Sequence, residues 1–148
     1  MKLVPAVPRA TGAGRADQER RNAQLRERFL SELHLLDAAE VADMSGSRSA
    51  NRRAVASRWA GARRIFGMRL NGQVLYPAFQ FDEAGQPRPA VGEVLEVLAP
   101  LNLSEWAEAL WWGTASDALG WRTPANVVAE DPMAVVKVAL LDVSTLGG

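Results

Sequence analysis

The 148-residue sequence predicts a mainly α-helical protein in which a winged helix-turn-helix, with a small β-hairpin, precedes a small helical module. Two helical patterns meet at a Ser-Gly-Ser turn at residues 45–47, and an Asn-Gly pair at 71–72 separates two β-like runs. Helical periodicity of apolar residues returns after residue 90. We therefore expect four segments. They are a flexible arm at 1–15, a helix plus winged helix-turn-helix domain at 16–81, a helical domain at 90–143 and a tail at 144–148.

The first predicted element is a helix over residues 16–33. Helix-forming residues dominate this stretch, and Leu25, Phe29 and Leu33 recur at intervals of four on one face. The 15 residues before it contain two prolines and two glycines and little apolar content, which is typical of a mobile arm.

The helix-turn-helix is predicted from capping residues on either side of the Ser-Gly-Ser turn. Asp37 with Glu40 has the spacing of a capping box at the start of a short helix. Ser49 is the expected cap of a second helix, which would run to about residue 61 or 64 and bury Val55 and Trp59.

A β-hairpin is expected next, because Asn-Gly supplies the positive φ angles of a two-residue turn. A hairpin directly after a helix-turn-helix is the arrangement of a winged helix. Pro77 is expected to interrupt the second strand, so that Phe79 and Phe81 belong to a separate extended piece at an edge. Residues 82–89 are predicted to be a turn and the boundary between the two halves.

The second half is predicted to contain four helices. The first begins at Ala90 and ends near Pro100, and the second begins at Ser104. Thr123 and Pro124 are the expected cap and first residue of a short helix to Ala129. Asp131 and Pro132 repeat that signal for the last helix.

Charge is distributed very unevenly along the chain. Residues 1–70 hold 14 Lys and Arg against 7 Asp and Glu, whereas residues 71–148 hold 3 against 10. Residues 44–81 contain seven arginines and no acid. Such a stretch is a candidate phosphate-facing surface, and Arg and Asn near a helix amino end can read base edges. The candidate DNA-binding residues are Arg48, Asn51, Arg52, Arg53, Arg58, Arg63 and Arg69. The alternative is an arginine-rich helix that is simply solvated.

Four of the five tryptophans lie in a single stretch of 16 residues inside the acidic half of the chain. Tryptophan is enriched at interface hot spots, so this cluster suggests a surface for a protein partner. The alternative is an aromatic core. Because Trp111 and Trp112 are adjacent, they cannot share one helix face, and we expect one in the core and one nearer the surface. The candidate partner-binding residues are Trp106, Trp111, Trp112, Trp121, Leu141 and Leu146.

Catalysis and metal binding find little support in the sequence. There is no cysteine, and His34 is the only histidine. The pairs Glu93/Glu96 and Glu105/Glu108 lack a third ligand and are expected to be solvated. No glycine motif for nucleotides is present, so we expect no cofactor and no enzymatic activity. No apolar run of about 18 residues occurs, and we expect a cytoplasmic protein without a membrane partner.

Leu75 to Ala139 resembles antitoxins of the Xre/MbcA/ParS type. The likeness consists of an aromatic P-x-F-Q-F strand, an amphipathic helix, a tryptophan-containing helix and an L-x-G-x-T-P-like corner. The matching residues are Pro77, Phe79, Gln80, Phe81, Gly85, Trp106, Leu119, Gly120, Thr123 and Pro124. One departure is the arginine-rich helix with its Asn-Gly wing, which looks closer to a MerR- or excisionase-like reader than to the all-helical Xre domain.

This resemblance implies an antitoxin that represses its own operon and neutralises a cognate toxin, commonly of the NAD-consuming RES type. It also implies that Leu141 to Gly148 form an inhibitory tail. We expect double-stranded DNA and the toxin as partners, and a homodimer. Two alternatives remain open. One is a plain transcriptional regulator whose second module dimerises, and the other is a protein-interaction module with no role on DNA.

Overall fold

A computed structural model describes residues 12–147 of the protein, with side chains from 14 to 145. The described residues form seven α-helices and three short β-strands. In chain order they are α1 (Gly12–Leu33), β1 (Leu35–Leu36), α2 (Ala38–Met44), α3 (Ala54–Gly61), β2 (Met68–Leu70), β3 (Gln73–Pro77), α4 (Pro89–Leu98), α5 (Glu105–Gly113), α6 (Pro124–Val127) and α7 (Pro132–Gly147). The prediction of a mainly α protein with a winged helix-turn-helix and a small hairpin is confirmed.

The described residues fall into two compact units, one ending at Glu32 and the other beginning at Leu33. The first contains α1 as far as Glu32, and its side chains are mostly exposed and include the pair Arg20–Asp17. This helix begins at Gly12, four residues earlier than predicted, so residues 12–15 of the predicted arm are helical. Residues 1–11 of that arm lie outside the described part of the chain.

Helix α2 starts at the predicted capping box. The Asp37 carboxylate accepts from the backbone N–H of Glu40, and the Glu40 side chain accepts from the N–H of Asp37. Helix α3, in contrast, begins at Ala54 after an Arg53 cap, so the prediction that Ser49 caps it is wrong. Serine and asparagine side chains between residues 47 and 53 bond to nearby backbone N–H groups, which competes with helix formation.

The sheet has the strand order β1-β3-β2, with both pairings antiparallel. The predicted hairpin is present, and Asn71 and Gly72 at its tip both have positive φ angles, of 50° and 83°. Strand β1 was not predicted, and it makes β3 the central strand rather than an edge. Pro77 is the last residue of β3, opposite Leu35, so the strand stops at the residue predicted to interrupt it.

The segment after β3 differs in part from the prediction. Phe79 lies in a short 3-10 turn over Ala78–Gln80, not in an extended piece. Phe81 is extended and pairs with Pro87 across the turn at 82–89. In that turn Gly85 has a φ of 74°, and a Cβ there would stand 2.2 Å from the carbonyl oxygen of Met44. Glycine is therefore required at this close approach to the end of α2.

The winged part has a core of its own. Side chains from β1, α2, α3, β3 and the segments that follow α3 and β3 form one buried cluster: Leu36, Val41, Ala42, Val55, Ala56, Trp59, Ile65, Tyr76 and Phe81. The helical part follows the predicted four helices. Its α4 presents Val91, Val94 and Leu95, all buried, and packs against α7, which buries Val135 and Ala139.

The two parts are not separate bodies, which differs from the predicted division into domains at 16–81 and 90–143. Trp112 of α5 is fully buried and stacks on Phe66, with a centroid distance of 6.4 Å, and meets Phe79 at 4.9 Å. The backbone N–H of Arg69 donates to Glu105 at 2.9 Å. Residues from Leu33 onward consequently form one unit.

The structure also differs from the prediction of a separate tail at 144–148. Helix α7 continues through Gly147, so residues 144–147 extend a helix instead of forming a separate tail, and Gly148 lies outside the described residues. None of the helices within residues 12–147 combines the length and apolar character that a bilayer crossing requires.

Candidate nucleic-acid interface

A groove of about 450 Å³ lies between the start of α2, the start of α3 and the hairpin. We call it the basic groove. Its lining includes Arg52 and Arg53 from the turn before α3, Ser57 from α3, and Arg69 and Gln73 from the wing. Among the described residues, Asp37 supplies the one carboxylate in the lining, and this carboxylate already accepts from the N–H of Glu40 at 2.8 Å. The groove therefore presents cationic and neutral hydrogen-bonding groups from two sides.

The turn leading into α3 is shaped by its own polar side chains. The Ser47 hydroxyl accepts from the N–H of Ser49, the Ser49 hydroxyl from that of Asn51, and Asn51 Oδ1 from that of Arg53, at 3.1–3.2 Å. These bonds fold the chain before the helix begins. They place Arg53 at the end of the turn and Ser57 one helical turn later on the same side.

Not all the predicted DNA-binding residues face the basic groove. Arg53 and Arg69 line it and are exposed. Arg48 and Arg58 are exposed in the turn and on α3, outside the lining. Asn51 is exposed, but its side-chain oxygen is occupied by the N–H of Arg53.

Arg52 and Arg63 are engaged within the protein. Arg52 pairs with Asp43 and donates to the carbonyl oxygens of Ser47 and Ser49 at 3.1 and 3.2 Å. Arg63 has a left-handed φ of 58° after α3 and donates to the carbonyl oxygen of Leu95 at 3.1 Å. Arg52 therefore closes the turn, and Arg63 joins the winged part to α4. The sequence could not show these carbonyl contacts, because a backbone acceptor is not tied to any residue type.

Sequence reasoning missed Ser57 and Tyr76 in the basic groove. Ser57 could have been found from its spacing of four residues after Arg53 on one helix face. Burial raises the pKa of the Tyr76 hydroxyl, so this group stays neutral well above physiological pH.

Of the two α5 carboxylates predicted to be solvated, Glu105 is exposed and Glu108 is not. Glu105 accepts from the backbone N–H of Arg69, and Glu108 is buried. Burial raises the pKa of Glu108, Arg63 at 3.8 Å lowers it, and Glu105 raises it further. The predicted solvated pair Glu93 and Glu96 is exposed, as expected. No group of histidine, cysteine and acidic side chains among the described residues is arranged to hold a metal ion.

A second groove, of about 590 Å³, lies between α5, the corner at 114–124 and α7. We call it the apolar groove. Its walls include Leu103, Leu110, Trp111, Trp121 and Val138. Two aspartates, Asp117 and Asp142, also line it. Trp111 is half-buried, and its Nε1 donates to Asp142 Oδ2 at 2.8 Å.

The predicted partner-binding residues differ in how exposed their side chains are. Trp121 is 73% exposed and Leu141 59% exposed, whereas Trp106 is half-buried and Trp112 is fully buried. The expectation that one of Trp111 and Trp112 lies in the core is confirmed, and Trp112 is the core residue. Its inclusion in a partner surface is wrong, because it packs on Phe66 and Phe79. The side chain of Leu146 lies outside the described residues.

Comparison with known proteins supports the fold. No family model matches the chain, and no curated protein matches it. The solved NMR structure of Rv2175c is similar, with a TM-score of 0.62 and 17% sequence identity. The match covers 74% of this chain and 80% of that one. At this identity, the similarity shows that the two chains share a fold.

Proposed function

We propose that this protein binds double-stranded DNA through the basic groove and α3. The observation that carries the proposal is the convergence of Arg53 and Ser57 at α3 with Arg69 and Gln73 of the wing on one groove. The amino end of a second helix-turn-helix helix is the part that such proteins insert into the major groove. Arg53 and Ser57 are suited to base edges there, and Arg69 to a phosphate.

The charge of this region supports the same partner. Residues 44–81 carry seven arginines and no acid, while the chain as a whole has a formal net charge of zero. Arg48 and Arg58 add exposed positive charge beside the basic groove. A locally basic surface on a neutral protein favours a polyanion at that surface and leaves the acidic half for another partner.

Salt dependence of DNA binding tests the proposal. Fluorescence anisotropy with a labelled duplex of mixed sequence gives log K against log salt for the full chain. The double variant Arg53→Ala with Arg69→Ala should bind more weakly, with a slope smaller by about 0.9 per lost phosphate contact. Lys137→Ala is the matched control, because Lys137 is exposed on α7 outside the basic groove. An unchanged slope in the double variant contradicts the proposal.

We also propose that the α7 side of the acidic half binds a protein partner. The favouring observation is the exposure of large apolar side chains there, with Trp121, Leu140 and Leu141 all more than half exposed. The resemblance to antitoxins makes a toxin of the RES type the candidate, and the mechanism is sequestration and repression without catalysis. If a second copy of this chain binds the same surface instead, the protein is a plain transcriptional regulator whose second module dimerises. Both roles place the protein in the cytoplasm, where DNA and NAD are found.

A pull-down from native-host extract, with and without nuclease, tests this second role. Recovery of one protein in fixed ratio, resistant to nuclease and lost with Leu141→Asp, supports it, and the complex is then assayed for suppressed NAD consumption. Lys137→Asp is the control on the same helix. Recovery of DNA alone, with a dimer by sedimentation that Leu141→Asp dissociates, supports the regulator instead.

A further inference from the structure

We propose that the apolar groove is a binding site for a lipophilic organic cation. The site is separate from the basic groove and shares no residue with it. The proposal does not depend on DNA binding. It rests on the aromatic walls of the groove, the sign of its ionisable groups and its size.

Two indole rings stand at the groove. Trp111 is held by its hydrogen bond to Asp142, and Trp121 is 73% exposed at the corner between residues 114 and 124. The corner is fixed by the N–H of Trp121, which donates to the carbonyl oxygen of Ser116 at 2.8 Å. Gly120 and Trp121 both have left-handed φ angles, of 67° and 65°. Trp121 is therefore held in a backbone conformation that is unfavourable for any residue with a side chain, and much of its ring is open to a ligand.

The ionisable groups that line the groove are both acidic. They are Asp117 and Asp142, and among residues 14–145, whose side chains the structure describes, no lysine or arginine is in the lining. The nearest arginine in sequence to Trp121 is Arg122, which pairs with Glu130 at 2.8 Å. That hydrogen bond raises the pKa of Arg122 and lowers the pKa of Glu130, so the pair stays ionised and mutually satisfied.

The indole rings and the two carboxylates together favour a positively charged ligand. A cation gains attraction from indole faces, whose quadrupole is negative, and from two carboxylates. An anion of the same shape meets repulsion from the same groups. Leu103, Leu110 and Val138 supply apolar contact, so a strongly hydrated metal ion is a poor occupant. A volume of about 590 Å³ is in the usual range for a small organic ligand.

Two ions of nearly identical shape and opposite charge provide the test. Tetraphenylphosphonium and tetraphenylborate are titrated separately into the full chain, and binding is followed by the NMR signals of the five indole N–H groups. Trp121→Phe and Trp111→Phe identify two of these signals. We expect saturable shifts of both with tetraphenylphosphonium, and affinity about tenfold or more above that of tetraphenylborate at the same signals.

Single substitutions in the apolar groove test whether the cation binds there. Trp121→Ala should weaken tetraphenylphosphonium binding by about tenfold, and Asp117→Asn and Asp142→Asn by about threefold each. Asparagine at 142 keeps an acceptor for Trp111, so the groove wall is retained. Glu96→Gln, which removes an exposed carboxylate from α4, is the matched control and should leave the affinity unchanged. Equal affinity for the two ions, shifts confined to other indole signals, absence of saturable binding, or insensitivity to Trp121→Ala overturns the proposal.

Discussion

At the scale of single residues, the structure separates side chains that look alike in the sequence. Arg52 and Arg53 are neighbours, yet Arg52 is bound to two carbonyl oxygens and to Asp43, whereas Arg53 faces the basic groove. Glu105 and Glu108 share one helix face, yet Glu108 is buried. These differences depend on which backbone and side-chain groups surround each residue, and the fold sets those surroundings.

The buried carboxylate of Glu108 should make stability depend on pH. Burial raises its pKa above the ordinary value of 4.5, so the folded state holds its proton more tightly than the unfolded state. The contribution of Glu108 to folding stability is therefore most favourable below its unfolded pKa and is lost as pH rises through its folded pKa. Glu108→Gln should raise the free energy of unfolding at pH 7 on the order of 1 kcal/mol.

Urea denaturation of both proteins at several pH values checks this expectation. The advantage of Glu108→Gln should shrink as pH falls below 4.5, because the wild-type carboxyl is then increasingly protonated in both states. Glu96→Gln, at an exposed position, is the control and should show little difference at any pH. A variant that is less stable than wild type at pH 7 would show that the Arg63 contact outweighs desolvation.

At the scale of elements, the turn between α2 and α3 determines where the second helix begins. Side-chain bonds from Ser47, Ser49 and Asn51 delay the helix to Ala54, and Arg52 fastens the turn to Asp43 of α2. The orientation of α3 should therefore depend on Arg52 even though its guanidinium is not offered to DNA.

We expect Arg52→Ala to reduce the free energy of unfolding by about 1 kcal/mol, because a partly exposed arginine loses an ion pair and two carbonyl acceptors. Arg48→Ala is the matched control, since Arg48 is exposed in the same turn, and its effect should stay within about 0.5 kcal/mol. Urea titrations followed by circular dichroism measure both. Equal losses in the two variants would mean that Arg52 contributes no more to the turn than a solvated arginine.

At the scale of the whole molecule, the unit from Leu33 onward unites the parts that the sequence suggested were separate. Trp112 lies against Phe66 and Phe79, and Arg63 bonds to α4, so the winged part and the helical part share a boundary. Helix α5 has one side on that boundary and the other on the apolar groove, through Trp111.

If the winged part and the helical part unfold cooperatively, removing the Trp112 side chain should destabilise both of them together. We expect Trp112→Ala to lower the free energy of unfolding by about 3–5 kcal/mol, and Trp112→Phe by less, because phenylalanine keeps the stacking and no described group accepts from Nε1 of Trp112. Hydrogen exchange at the amides of Tyr76 and Leu95 provides one probe in each part. Loss of protection at Leu95 alone would show that the two parts unfold independently.

The sequence by itself determined the elements that depend on local chemistry. Asp37, Ser104 and Thr123 cap their helices as their residue types require, and Asn71-Gly72 forms the hairpin turn, because these bonds connect residues only a few positions apart. Charge asymmetry also indicated which half carries the basic groove. Tertiary structure alone decided the third strand, the burial of Glu108 and Trp112, and which arginines remain free. Leu35 and Leu36 form a strand only because β3 lies beside them, and Arg63 is engaged by the carbonyl oxygen of Leu95, which is 32 positions away and which no local pattern encodes.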